Sequence, residues 1–175
     1  MKNLLCFDPV MFTALNNYRG IARRMQFVGF FGSCALYDDY AHHPTEVKVT
    51  LETARRVIQG GELHVLFQPH QHSRTARFLG DFVESLRLAD RVVVADVYGA
   101  RLHIDTESAG SEELVTRLKR AHVEAVFGGD LAGSVSAALE RLPAGSGLLV
   151  LGAGDIDGVR DELLNRLALR CPALR

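Results

Sequence analysis

The chain has 175 residues, 47% of them apolar and 23% charged, which suits one globular domain with its own core. Twenty basic residues against 21 acidic ones leave a formal net charge of -1, which argues against a nucleic acid or an anionic membrane as partner. Three isolated cysteines and the lack of an apolar run of about 20 residues argue against a disulfide framework and a membrane helix, so we expect a cytoplasmic protein.

The first predicted elements are short. Residues 1–18 carry a weak helical pattern that Pro9 interrupts, which is more typical of the end of a preceding unit than of a domain start. Two apolar runs, 25–31 and 34–37, follow and are separated by Gly32-Ser33. They predict an antiparallel hairpin at the edge of a sheet.

From Pro44 onward the chain alternates between helical and strand patterns. Apolar residues recur every three to four positions from Pro44 until Gly60-Gly61, which predicts a helix. Predicted strands at 63–67, 91–97, 123–127 and 148–151 then alternate with predicted helices at 73–88, 111–121, 130–142 and 155–169. This alternation predicts an α/β fold, a Rossmann-like three-layer domain whose mostly parallel sheet carries the antiparallel hairpin at its edge.

One predicted loop carries a high density of chemically active side chains. Asp38, Asp39, Tyr40, His42 and His43 lie within six positions, directly before the long helix. In open α/β sheets, ligands bind outside the carboxyl ends of the strands. The loops expected at that edge are 38–44, 68–75, 96–110, 128–130 and 152–158.

A second loop combines imidazoles with a guanidinium. His70 and His72 stand between a predicted strand and a predicted helix, and Ser73 and Arg74 begin that helix, where Arg74 would favour a bound carboxylate or phosphate. The alternative is that Ser73 is an ordinary N-cap and that the other side chains are solvated. Asp96, Tyr98 and Arg101 follow another strand end and are candidates for the same crevice, or plain polar loop residues.

Other chemistry has weaker support. The glycines from Gly152 to Gly158 have the spacing G-x-G-x-x-x-G and follow the last strand, so they predict a tight turn and no dinucleotide site. The sequence contains no phosphate-binding P-loop. Zinc binding by the four loop histidines with Asp38 or Asp39 is the minority interpretation, because adjacent histidines rarely bind one ion, and we predict no metal site. Acid-base chemistry and a Ser73–His72 nucleophile pair stay open.

Five motifs, in this order and spacing, point to one family. They are Tyr18-Arg19-Gly20-x-x-Arg23-Arg24, Asp38-Asp39-Tyr40-Ala41-His42-His43-Pro44-Thr45-Glu46, Phe67-Gln68-Pro69-His70-x-x-Ser73-Arg74-Thr75, Asp96-Val97-Tyr98 and Gly152-Ala153-Gly154-Asp155-Ile156. Together they resemble the C-terminal, Rossmann-like domain of the Mur ligases, from residue 15 onward. On this resemblance residues 21–175 are that domain, and residues 1–20 are the end of a preceding domain or an interdomain segment.

The resemblance implies an ATP-dependent amide ligase that acts in peptidoglycan synthesis. ATP phosphorylates the carboxylate of UDP-N-acetylmuramate, L-alanine attacks the acyl phosphate, and Mg2+ bridges the phosphates. In such ligases a central domain carries the ATP-binding loop and the Mg2+ ligands, so ATP and Mg2+ are bound mainly there. This chain lacks that central domain and the N-terminal UDP-binding domain, which are therefore its expected partners, and alone it should not ligate.

The resemblance also implies roles for single residues. Arg24 and Asp39 are expected to face ATP, and His42 and Arg74 to bind substrate near the new amide and the L-alanine carboxylate. The possible crevice residues are Tyr40, His43, His70, Ser73, Asp96 and Tyr98.

Some residues depart from the family pattern. Many members have Arg at the position of Gln71 and an aromatic residue at that of His72, and a glutamate often stands where this chain has Leu102. Tyr40 and Glu46 favour the alanine-adding branch over the related ligase that recycles a whole murein peptide. A non-catalytic binding module that keeps the fold is the other alternative.

Overall fold

The computed structural model describes residues 13, 16–17, 20–99 and 110–170, which form a six-stranded sheet with helices on both faces. The strands are β1 (Gln26–Phe31), β2 (Cys34–Asp39), β3 (Leu63–Phe67), β4 (Arg91–Ala95), β5 (Glu124–Gly129) and β6 (Gly147–Leu151). They lie in the order β1-β2-β6-β3-β4-β5. Only the β1–β2 pair is antiparallel among these six strands, which confirms the predicted sheet and its edge hairpin.

The helices in the described residues are α1 (Pro44–Val57), α2 (His72–Arg77), α3 (Leu79–Leu86), α4 (Ser111–Arg120), α5 (Leu131–Glu140) and α6 (Val159–Arg170). A single 3-10 turn, Asp155–Gly158, precedes α6. None of the described helices has the length and apolar content that crossing a bilayer requires.

The two faces of the sheet bury alternate residues of the same strands. Leu149 and Leu151 of β6 belong to the core that α1, α3 and α4 cover, whereas Leu148 and Val150 belong to the core under α5 and α6. Burial on both faces explains why the parallel strands read as nearly continuous apolar runs. The predicted three-layer arrangement is therefore confirmed.

The start of α1 follows from its sequence. His43 is the N-cap, and its ring accepts a hydrogen bond from the Thr45 amide at 3.3 Å. The Glu46 carboxylate accepts from the amide of His43 at 3.2 Å, and Pro44 occupies the first turn, where its missing N–H costs nothing. The loop after β2 therefore supplies the groups that begin α1, directly after it as the sequence predicts.

The predicted single helix at 73–88 is wrong, because Phe78 interrupts it with φ -108° and ψ 20°. Of the residues in α2 only Thr75 is buried, whereas α3 buries most of its length. The apolar half therefore follows the core while the polar half turns toward the carboxyl edge. The alternative in which Ser73 is the N-cap is also wrong, since the helix begins at His72 and Gln71 precedes it.

Other boundaries also differ from the prediction. Strand β4 ends at Ala95 instead of Val97, and the last helix begins as a 3-10 turn before continuing as α6. The predictions for most of 1–18, for Arg101 and for Leu102 lie outside the described residues.

Candidate functional site

The strand order reverses at β6, and the candidate site lies beside it. The chain runs from β2 to β3, β4 and β5 in one direction and then returns to place β6 between β2 and β3. Loops that follow the strands next to such a reversal form a crevice. The loops after β2, β3 and β4 carry most of the predicted site residues.

Four rings from three loops form a continuous row across this edge. Tyr40 and His42 follow β2 and lie edge to face, with centroids 5.4 Å apart. His42 lies 5.9 Å from His70, which follows β3, and His70 lies 5.4 Å from Tyr98, which follows β4. These spacings are typical of aromatic contacts. The structure thus brings together four of the predicted crevice and substrate residues.

Backbone hydrogen bonds hold the far end of the ring row. The Gln71 amide donates to the Tyr98 carbonyl at 2.9 Å, and the Tyr98 amide donates to the Pro69 carbonyl at 2.8 Å. A side chain on Gly154 would overlap the Tyr98 ring and the Gln68 amide. Glycine is therefore required there so that the loops can approach each other.

Groups of the glycine-rich turn after β6 form hydrogen bonds with a side chain of the same chain. The side chain of Gln68, which is buried, donates to Asp155 Oδ1 at 2.8 Å and accepts from the Ile156 amide at 3.2 Å. The first amides of the 3-10 turn are therefore partly used, which agrees with the prediction of a tight turn.

Asp39, which the sequence places in a loop, is the last residue of β2, and its side chain stabilises the loop that follows. Its side chain is buried, and the residue is 2% exposed. Its Oδ2 accepts from the Met25 amide at 2.7 Å, and its Oδ1 accepts from the Ala41 amide at 2.8 Å and the Thr50 hydroxyl at 3.3 Å. The carboxylate therefore fixes two loops to each other. Its predicted contact with ATP stays a prediction.

Arg24 opens onto a cavity of about 450 Å³, the Arg24 pocket. Its walls are formed by Arg24, Met25, Asp39, Thr45, Glu46, Val49, Thr50 and Thr53. The guanidinium of Arg24 lies 5.8 Å from the Tyr40 ring centroid and forms no ion pair with a described residue. An unpaired cation beside an aromatic ring suits an anionic ligand that has a ring of its own.

Arg74 opens onto a second cavity of about 440 Å³, the Arg74 pocket. It is lined by His42, His43, Gln71, Ser73, Arg74, Arg77 and Phe78. Arg74 also forms no ion pair within the described part of the chain. His43 borders this pocket, but its ring is committed to capping α1 and packs 4.9 Å from the Phe78 ring.

Glu46 and His42 connect the two pockets. The Glu46 carboxylate lies 3.4 Å from His42 Nδ1 and accepts from the His42 amide at 3.1 Å. Burial raises the pKa of Glu46, but the two backbone donors and the charges of His42 and Arg24 outweigh it and leave the pKa below its ordinary value. Glu46 is therefore an anion that holds His42 at the boundary between the pockets.

His70 lies among cationic neighbours. Burial lowers its pKa below the ordinary value of 6.5, and the charges of Arg74 and His42 lower it further. Its Nδ1 has no hydrogen-bond partner in the described structure. The imidazole is thus neutral at neutral pH and can accept a proton or a hydrogen bond.

We expect Arg74→Ala to raise the pKa of His70, because it removes a nearby positive charge. In the wild type, the unfolded chain binds this proton more readily than the folded one, so stability should fall as the pH drops below about 6.5. An NMR titration of the imidazole resonances measures the pKa directly. Arg77→Ala, on the same helix, is the control and should leave it unchanged; an equal effect of both variants would contradict the assignment.

The remaining predicted residues lie farther from the ring row or on the surface. Ser73 lines the Arg74 pocket as an exposed side chain, and the Ser73–His72 nucleophile pair has no supporting hydrogen bond among the described contacts. Asp96 is exposed, and its amide donates to the Gly129 carbonyl at 2.8 Å. Across 20–99 and 110–170, no three His, Cys, Asp or Glu side chains are grouped to hold a metal ion.

Two residues of the site have no role in the sequence analysis beyond their place in the motifs. Arg23 and Gln68 each join loops that are distant in sequence, and Gln68 is buried. Their type and their position beside other motif residues give no signal of which partners they reach. Only the fold brings those partners together.

A comparison with protein-family models matches residues 23–154 to the Mur ligase, glutamate ligase domain model. The chain belongs to the Mur ligase family. A UDP-N-acetylmuramate–L-alanine ligase of Caldicellulosiruptor bescii is 39% identical to this Mur ligase domain over 157 residues, which cover 90% of the chain and 34% of the relative. The domain thus spans about a third of the length of the relatives it matches.

Solved structures agree with this assignment. The crystal structure of the UDP-N-acetylmuramate–alanine ligase of Thermotoga maritima has a TM-score of 0.74 and 28% identity, covering 94% of this Mur ligase domain and 34% of that chain. A murein peptide ligase from Psychrobacter arcticus has a TM-score of 0.69 at 22% identity, covering 89% of this domain and 32% of that chain, and shows the shared fold.

Proposed function

We propose that this domain is the C-terminal part of an ATP-dependent ligase that joins L-alanine to UDP-N-acetylmuramate in peptidoglycan synthesis. One observation carries the proposal. The loop from Tyr40 to Glu46 separates two pockets, and each pocket contains an arginine without an ion-pair partner among the described residues. Separate sites for two anions suit a ligase that binds the phosphates of ATP and the carboxylate of L-alanine at the same time.

The site residues form two groups, one for each ligand that they would bind. Arg24 and Tyr40 would face the nucleotide, with the guanidinium toward phosphate oxygens and the ring toward the ribose or base. Arg74 would bind the L-alanine carboxylate, since a guanidinium can donate two parallel hydrogen bonds to it. His42, held by Glu46 at 3.4 Å, would lie near the new amide.

The chemistry conserves atoms and charge. The carboxylate of UDP-N-acetylmuramate attacks the terminal phosphorus of ATP and releases ADP; the neutral amine of L-alanine then attacks the acyl carbon, phosphate leaves, and the nitrogen loses a proton to solvent. The domain's part is to bind and orient, because a closing domain completes such a site only when the substrates are loaded.

The grouping of carboxylates in the described residues does not suit a Mg2+ site of this domain's own. Mg2+ would neutralise phosphate charge when bound, and we assign its ligands and most ATP contacts to a central domain. We also propose that residues 1–20 are the end of that preceding domain or an interdomain segment and that residues 21–175 are the C-terminal domain. The family match, which starts at residue 23, supports this boundary. The N-terminal and central ligase domains are then its partners.

The test is a chimera in which this chain replaces the matching C-terminal third of the Thermotoga maritima ligase. We expect phosphate release that requires ATP, UDP-N-acetylmuramate and L-alanine together. The chain alone, at the same concentration, should release none. Turnover by the chain alone would contradict the assignment to one part of a ligase, and a folded but inactive chimera would favour a non-catalytic binding module.

A further inference from the structure

The adjacent arginines Arg23 and Arg24 face different surroundings. Arg24 opens onto its pocket, whereas the side chain of Arg23 is only 19% exposed and turns toward the protein. Its Nε lies 3.6 Å from Asp38 Oδ2, its Nη1 lies 3.4 Å from Asp157 Oδ2, and its Nη2 donates to the Gly152 carbonyl. One guanidinium therefore joins the end of β2 to the turn that follows β6.

The same residue also supports Tyr40. The Tyr40 amide donates to the Arg23 carbonyl at 2.8 Å, and the Arg23 guanidinium lies 4.9 Å from the Tyr40 ring centroid. Tyr40 thus has Arg23 and Arg24 both within cation–π distance of its ring.

The backbone around Arg23 is held in an uncommon conformation. Arg23 has φ +56° and Met25 has φ +40°, in the left-handed region that residues with side chains rarely adopt. The amide of Arg23 donates to Gln26 Oε1 at 2.9 Å, and that of Met25 donates to Asp39 Oδ2 at 2.7 Å. Strained residues persist where surrounding contacts fix them, often next to functional sites. The residue between these two is Arg24.

We propose that Arg23 is a positioning residue for the nucleotide side of the site: its three-way contact fixes the turn that presents Arg24 and the ring of Tyr40. This inference rests on the proposed function. Asp38 is 2% exposed, and neither of its oxygens has a hydrogen-bond partner in the described structure. The Arg23 charge at 3.6 Å therefore compensates for the burial of this carboxylate. A lysine could supply the charge that Asp38 needs, but it lacks the planar fork that reaches Gly152 and Asp157 together.

The ligase chimera separates positioning from simple stabilisation. We expect Arg23→Ala to raise KM for ATP about tenfold or more, because Arg24 would lose its charged contact with the nucleotide. KM for L-alanine should stay unchanged. Arg23→Lys should recover part of the thermal stability lost in Arg23→Ala but should not recover KM for ATP. A purely structural role would lower the folded fraction, and so kcat, without changing KM.

Arg91→Ala is the matched control. Arg91 is also buried and joins separate elements, pairing with Glu124 at 3.0 Å and donating to the Ala137 carbonyl at 3.0 Å, but it lies at the opposite end of the strands. Its replacement should lower stability and leave KM for ATP unchanged. If Arg23→Ala behaves in the same way, or if Arg23→Lys restores KM for ATP fully, the inference is overturned.

A second measurement does not depend on ligase activity. In the isotopically labelled chain, Arg23→Lys should shift the ring resonances of Tyr40 while Arg91→Lys leaves them in place. Unchanged Tyr40 resonances in a folded Arg23→Lys chain would overturn the positioning role. An inactive wild-type chimera with shifted resonances would instead count against the proposed function and keep the structural part of the inference.

Discussion

Asp39→Ala should lower the free energy of unfolding by about 3–6 kcal/mol, since a charged hydrogen bond contributes about 1.5–3 kcal/mol and two backbone amides would lose one each. Those amides belong to Met25 and Ala41, and the Thr50 hydroxyl loses its acceptor as well. The residue is 2% exposed, so water cannot readily replace the carboxylate. Urea denaturation of the chain, followed by circular dichroism, measures the change.

Two variants calibrate that result. Asp39→Asn keeps one carbonyl oxygen as an acceptor and should lose less stability than Asp39→Ala. Asp81→Ala removes an exposed carboxylate on α3 and should change stability by less than about 0.5 kcal/mol. If Asp39→Ala proves as mild as Asp81→Ala, the carboxylate does not organise the loop, and a direct role toward ligand becomes the better explanation.

Arg74→Ala should raise KM for L-alanine about 10- to 100-fold in the ligase chimera. The estimate follows from the loss of a charged hydrogen bond, about 1.5–3 kcal/mol, at about 1.4 kcal/mol for each tenfold change. Arg74 lines its pocket with His42 and has no competing ion pair among the described residues, so its guanidinium is free to bind a carboxylate. Initial rates at varied L-alanine, with ATP saturating, measure the effect.

The control for this prediction is Arg56→Ala, which removes an exposed arginine of α1 that lines neither described pocket. It should leave KM for L-alanine unchanged. An Arg74→Ala chimera with wild-type dependence on L-alanine would remove the proposed role of Arg74. A rise in KM for ATP alone would move Arg74 to the nucleotide side.

Most of the fold could be predicted because the buried face of each element sets the spacing of its apolar residues. The strand cores around Val65 and Val93 are apolar on both faces, and α1 repeats Val47, Leu51 and Ala54 at helical spacing, so the element types follow from the sequence. The break at Phe78 could not be predicted. It depends on tertiary packing, because α3 packs against the core whereas α2 buries only Thr75.

The sequence predicts which loops form the site, but it does not predict which way their side chains point. The topology brings His42, His70 and Tyr98 into one row because parallel strands end at one edge. The inward turn of Asp39 depends on amides of another loop, and the different surroundings of Arg23 and Arg24 depend on a backbone conformation that neighbouring residue types do not specify.

The most direct test of the alanine-adding activity is the product that the ligase chimera makes. Supplied with ATP, UDP-N-acetylmuramate and equal amounts of L-alanine and a murein peptide, it should form UDP-N-acetylmuramate extended by one alanine, as identified by mass spectrometry. Formation of the peptide adduct instead would assign the domain to the recycling branch and contradict the proposed alanine-adding activity.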